Sequence, residues 1–119
     1  MMAWGKMKYE LEERSAQFGE KVIDLVRSLK SDVVNVVLIR QIVRSATSIG
    51  ANYMEANNSV SRKDFKNKIG ICKKEASETK HWLRMLIRSN NYKERECTDL
   101  WREADELTKI FSKIFMSSR

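Results

Sequence analysis

Between Phe65 and Leu86 the residues Phe65, Ile69, Cys72, Ala76, Thr79, Leu83 and Leu86 step 4-3-4-3-4-3 along the chain. That spacing keeps side chains on one stripe of an α-helix, and an apolar stripe requires a partner to cover it. Three other stretches carry the same periodicity. In the first, Leu11, Phe18, Val22, Leu25 and Leu29 share a face, with Ser15 filling the one gap, which predicts a helix over residues 8–30. In the second, Ile39, Ile42, Ala46, Ile49, Tyr53 and Ala56 follow a start signal at Ser31-Asp32 and predict a helix over 33–57. The Phe65 to Leu86 seam sits in a third helix, 61–89, where Ser61 can cap the first turn and Asp64 can answer it. After Ser89-Asn90-Asn91, the series Cys97, Leu100, Ala104, Leu107, Phe111 and Ile114 predicts a fourth over 93–116.

The chain contains no proline, where average usage of about 5% would give roughly six, so nothing interrupts these helices. Connections this short cannot return the chain along a helix of 20-odd residues, so consecutive helices must run antiparallel. The expected fold is all-α: one domain over residues 1–119, an antiparallel up-down four-helix bundle. A composition of 42% hydrophobic and 33% charged residues can bury a core and excludes wholesale disorder. The longest apolar run, Val33 to Ile39, is interrupted by Asn35 and closed by Arg40, far short of the ~20 residues of a bilayer span. With no apolar leader after Met1, the expected location is cytoplasmic, without membrane association.

The second helix is broader than one seam requires, because Val33, Val34, Val36, Val37, Leu38 and Val43 widen its apolar surface. A second covered face of this kind predicts self-association, with a wide core-facing arc as the plain alternative.

Charge is unevenly spread. Of the net +7, residues 61–90 hold nine basic and three acidic side chains, a surplus of six. Arg62, Lys66, Lys73, Lys80, Arg84 and Arg88 recur there at helical spacing, flanked by Lys63 and Lys74. A one-sided basic face attracts phosphate backbones by counterion release, so RNA or other nucleic acid is the expected partner. A solvated face that only maintains solubility is the plain alternative, and an acidic protein partner held by an oligomeric scaffold is another. Trp82 and Tyr92 stand near the end of the stripe, where an aromatic ring could stack on an unpaired base or simply pack.

Beside the seams, Arg44, Ser48, Asn52 and Glu55 form a polar ridge on the second helix, and Glu75 and Glu78 lie at similar depth on the third. A guanidinium there needs a carboxylate, so Arg44 is expected to meet one such as Glu75 and fix the register. A di-iron carboxylate site would need a Glu-x-x-His pair on two helices, whereas His81 forms one pair only, with Glu78. No metal or cofactor is expected. Cys72 and Cys97 occupy seam positions and read as free core thiols rather than nucleophiles. Gly5, Gly19, Gly50 and Gly70 stand too far apart for a phosphate loop. No catalytic residues are expected. Gly50, placed mid-helix, predicts close approach of a neighbouring helix.

The run Gln41-Ile42-Val43-Arg44-Ser45-Ala46-Thr47-Ser48-Ile49, then Asn52 and Glu55-Ala56, resembles the second-helix signature of a bacterial four-helix-bundle family. Ser61-Arg62-Lys63-Asp64-Phe65, Lys74-Glu75-Ala76-Ser77-Glu78-Thr79 and Trp82-Leu83 resemble its third-helix signature. The family is encoded in intervening sequences of large-subunit ribosomal RNA genes and is sometimes mislabelled as a ribosomal protein. The resemblance implies a homopentameric ring and no known catalytic activity. A distant relative, the accessory protein of diversity-generating retroelements, is a basic pentamer that binds nucleic acid and a reverse transcriptase, so by resemblance RNA or DNA binding is the expectation. Where the family usually has glycine after the Glu-Ala pair, this chain has Asn57-Asn58.

Overall fold

Four helices in the computed structural model follow the four periodic stretches: α1 (Met2–Arg27), α2 (Val33–Asn57), α3 (Arg62–Ser89) and α4 (Glu94–Ser117). The structure describes residues 2–118, with side chains from Gly5 onward. A single 3₁₀ turn, Asn91–Lys93, joins α3 to α4. The boundaries follow from local chemistry. Asp32 accepts a hydrogen bond from the Asn35 amide at 2.7 Å and starts α2 at Val33, the position its cap signal predicts. Ser61 does the same for Asp64 at 3.0 Å and starts α3. Both satisfy amides that a helix N-terminus otherwise leaves unpaired.

Helix α1 begins earlier and ends sooner than the predicted 8–30. Its last turn closes when the Ser28 hydroxyl and amide both donate to the Leu25 carbonyl. At the end of α2, the Asn58 amide donates back to Glu55 and Ala56 carbonyls at φ −103°. No described residue has positive φ, so asparagine here ends the helix without the left-handed turn a glycine would supply.

Each helix packs on its neighbours in sequence, and α1 closes the ring on α4 only thinly. The bundle is elongated, 46 × 22 × 20 Å. The core is the meeting of the predicted seams: Phe18, Val22, Ile42, Ile49, Ile69, Leu83, Leu107 and Phe111 are buried, while Leu11, Leu29, Ile39, Phe65 and Ile114 at the seam ends are half-buried. Tyr53 and Phe111 meet edge-on at 5.4 Å, the arrangement that ring quadrupoles favour. Where α1 and α4 touch, Arg14 grips Glu103 with two hydrogen bonds of 2.6 and 2.8 Å. Among the described residues no helix is long and apolar enough to cross a membrane.

Gly50 lies against the α1 backbone as its mid-helix position predicts: a Cβ there would stand 3.5 Å from the Ala16 nitrogen. That is ordinary contact, so the space admits a methyl. Gly50→Ala should leave stability unchanged or raise it by up to about 1 kcal/mol through helix propensity. Gly50→Leu should cost about 1–3 kcal/mol by forcing α1 outward. Urea melts of the two variants check both.

The extra valines at the start of α2 do not widen the core of the single chain. Val33, Val34, Val36 and Val37 are exposed, and the buried residue among them is Asn35. The reason lies at the far end of α3. Asn35 and Asn90 exchange reciprocal amide hydrogen bonds of 2.8 and 2.9 Å, Ser89 donates to Asn35 at 2.8 Å, and Asn35 donates to the Lys30 carbonyl at 3.0 Å. The pair pulls one polar side chain inward and turns the valines out.

Candidate nucleic-acid interface

Along α3, side chains that miss the core fall on two flanks, one beside α2 and one beside α4. The α2 flank is internally neutralised. Arg44 reaches both Glu75 oxygens at 3.3 Å and Glu78 at 3.0 Å, and the bond to Glu78 followed by the charge of Glu75 holds its guanidinium above its ordinary pKa. Glu75 is buried, and this contact is the Arg44–Glu75 meeting that the spacing predicts. Lys68 pairs with Glu55 at 2.7 Å.

The rest of the polar ridge does not join it. Ser48 donates to the Arg44 carbonyl at 2.6 Å and Asn52 to the Ser48 carbonyl at 2.8 Å. Short polar side chains readily satisfy themselves on the preceding helical turn. The expected six-residue network is therefore Arg44 with Glu75 and Glu78, a separate Glu55 pair, and two residues bonded to their own helix. A contact the sequence did not signal crosses deeper in the core, where Ser45 and Thr79 hydroxyls meet at 2.8 Å.

On the α4 flank lies the basic stripe. Arg62, Lys63, Lys73, Lys74, Arg84 and Arg88 are exposed. Lys66 and Lys80 are not on the open face where the helical spacing places them. They lean over α4: Lys66 Nζ sits 4.7 Å from the Phe115 ring centroid, and Lys80 Nζ lies 3.0 Å from Asp105 and 5.3 Å from the Trp101 ring. Their long stems cover apolar surface while the ammonium groups stay near water. Asp105 also takes Lys109 at 3.1 Å, and the hydrogen bonds from Lys80 and then Lys109 hold its carboxyl below the ordinary value. Lys80 is thus already matched by a carboxylate.

Among the described residues, no carboxylate comes within ion-pair distance of the other seven cations of this segment that remain after Lys68 and Lys80. The α3 carboxylates Glu75 and Glu78 are turned to Arg44 on the opposite flank. Gly70 serves this flank too, since a Cβ there would meet the Phe115 ring at 3.3 Å.

Of the two aromatic candidates, Trp82 lies on the α2 flank in a cleft with Gln41, Arg44, Glu78 and His81, away from the stripe. Tyr92 is exposed in the 3₁₀ turn. The α4 rings that border the stripe are Phe115, which is half-buried, and the exposed Trp101, which the sequence alone did not single out. Its α4 neighbours Leu100 and Ala104 mark the seam, but only the α3–α4 register shows that Lys80 faces it.

Burial raises both thiols, Cys72 to about 12 and Cys97 to about 11, so neither is a thiolate at neutral pH. Native protein at pH 8 should leave iodoacetamide unreacted for both cysteines, with two equivalents consumed once urea unfolds it. Labelling followed by mass measurement checks this. Among the described residues no group of three or more His, Cys, Asp or Glu side chains is placed to hold a metal ion.

The profile of the 23S rRNA-intervening sequence protein family matches residues 7–113. A solved structure from Bacteroides thetaiotaomicron, described as a protein with unknown function from the S23 ribosomal protein family, is 34% identical. It superposes with a TM-score of 0.83 over 92% of this chain and 98% of that one. Comparison with curated proteins gives no match. Neither the family nor the structural relative carries an enzymatic description. Profile, superposition and the α2 and α3 motifs agree, and the chain belongs to the 23S rRNA-intervening sequence protein family.

Proposed function

We propose that this protein is a non-enzymatic bundle that binds RNA or other nucleic acid through the α3 flank facing α4. The observation that carries the reading is the set of seven cations, Arg62, Lys63, Lys66, Lys73, Lys74, Arg84 and Arg88, left without carboxylates along one helix. Concentrated positive charge with no internal partner raises the local concentration of polyanions and binds them by releasing condensed counterions. Side chains on a rigid helix hold fixed spacing, and contacts to phosphate carry little sequence information. The reading therefore predicts tight but sequence-tolerant binding. Lys80 adds little to this set, because Asp105 already balances its charge.

Lysine acetylation with and without a mixed-sequence RNA hairpin tests the placement. Lys63, Lys73 and Lys74 should lose reactivity when RNA is present at low salt, while Lys21 and Lys30 at the far side and end of the bundle keep theirs. Uniform protection, or none, would contradict it.

Self-association is the second part of the proposal, supported by Val33 at 87%, Val34 at 55% and Val37 at 57% exposure on one stretch of α2. A cluster of large apolar side chains in water is costly unless covered. Sedimentation should give more than one chain per particle, and Val34→Asp with Val37→Asp should shift it toward the single chain.

A further inference from the structure

Among the described residues Tyr9, Tyr92 and Trp101 are the exposed large aromatic side chains, and of these Trp101 is the one seated against a cation of α3. Phe18, Tyr53 and Phe111 are buried in the core, and Phe115 is seated on Gly70. Trp101 is 38% exposed and is not among the residues packed against the core. It lies beside the basic stripe, with Lys80 Nζ 5.3 Å from its ring and Asp105 fixing that ammonium at 3.0 Å. The antiparallel register is marked by Lys80 at Trp101 and Lys66 at Phe115, fourteen residues apart on both helices. Trp101 accordingly falls between Lys73 and Arg84 along the α3–α4 face, cations separated by about 16 Å of helix.

We infer that the α3–α4 face takes unpaired nucleotides, with one base stacking on the Trp101 indole while Lys73 and Arg84 hold the phosphates on either side. This rests on the nucleic-acid reading above and narrows it. In a duplex the base faces are hidden by their neighbours, so an exposed ring gains nothing there and phosphate contacts alone operate. On a single strand every base offers a π-face, and stacking adds to the electrostatic term without demanding a sequence. The shared ligand is an unpaired base flanked by phosphates, and RNA and DNA both supply it.

The test measures anisotropy of three labelled probes at about 50 mM salt: a U12 RNA, a T12 DNA and a 12-base-pair duplex. Trp101→Ala should weaken the single strands by about 5- to 100-fold and the duplex by less than about twofold. Trp101→Phe should retain most single-strand affinity, since a ring of any kind can stack. Preference of the wild type between U12 and T12 identifies which source the site takes, and either preference supports the proposal. Unchanged single-strand affinity in Trp101→Ala would overturn it. Equal weakening of all three probes would also overturn it and make Trp101 a support for Lys80. Wild-type protein that binds none of the probes would instead refute the nucleic-acid reading itself.

Discussion

Reversing Lys73 and Arg84 together to glutamate should weaken binding of a mixed-sequence RNA hairpin by about 60-fold or more at ~100 mM salt. Each phosphate contact contributes a salt slope of about 0.9, worth about 8-fold at tenth-molar salt, and two contacts multiply. Both residues are exposed and neither is paired with a carboxylate among the described residues, so the fold loses no ion pair. The salt dependence should flatten by about two units. A control separates local from overall charge. Lys21→Glu with Lys113→Glu changes the net +7 by the same amount, but these lysines line grooves on the α1 side of the bundle. That variant should bind within a few-fold of wild type. Equal losses in both variants would make binding a property of net charge and not of α3.

The largest effect on stability should come from a polar residue. Asn35→Ala leaves the buried Asn90 amide without its reciprocal partner, and it removes the acceptor of Ser89 and a donor to the Lys30 carbonyl. Each unsatisfied buried group costs about 1–3 kcal/mol. Since Asn90 keeps its bond to the Leu86 carbonyl, a total of about 3 kcal/mol is expected, lowering the melting temperature by roughly 10–15 °C. Asn35 and Asn90 should also be strongly coupled: the double alanine variant should lose about 1 kcal/mol or more less than the sum of the singles. Thermal melts of the cycle check this, and additive losses would show that the amide pair does not lock the end of the bundle.

Much of the fold was legible because a bundle core repeats. Once Phe65 to Leu86 establishes the period, the other seams and their order follow, and Asp32 and Ser61 place two helix starts through local chemistry alone. Trp4 and Met7 continue the three-four spacing back from Leu11, and it is this extension, outside the seam counted from Leu11, that the early start of α1 follows. Asn35 was not legible as a buried residue, for a different cause. Locally it interrupts a valine run, but its partner Asn90 is 55 residues away, and only the pairing of α2 with the end of α3 turns it inward. The site divides in the same way. A helical wheel finds the basic stripe, yet which of its members lean on α4 depends on register, as Lys66 over Phe115 and Lys80 over Trp101 show. Ser48 and Asn52 looked like network members because spacing cannot tell a cross-helix bond from one to the preceding turn.

The most direct test of a phosphate-reading α3 is the affinity of the wild-type protein for a labelled mixed-sequence RNA hairpin from about 50 to 200 mM salt. If four or more of the unpaired cations meet phosphates, the logarithmic slope should be steeper than about −3.5 and the affinity should fall by over about 100-fold across the series. Absence of binding at the low-salt end, or affinity indifferent to salt, would contradict the account and leave the stripe as a solvated face.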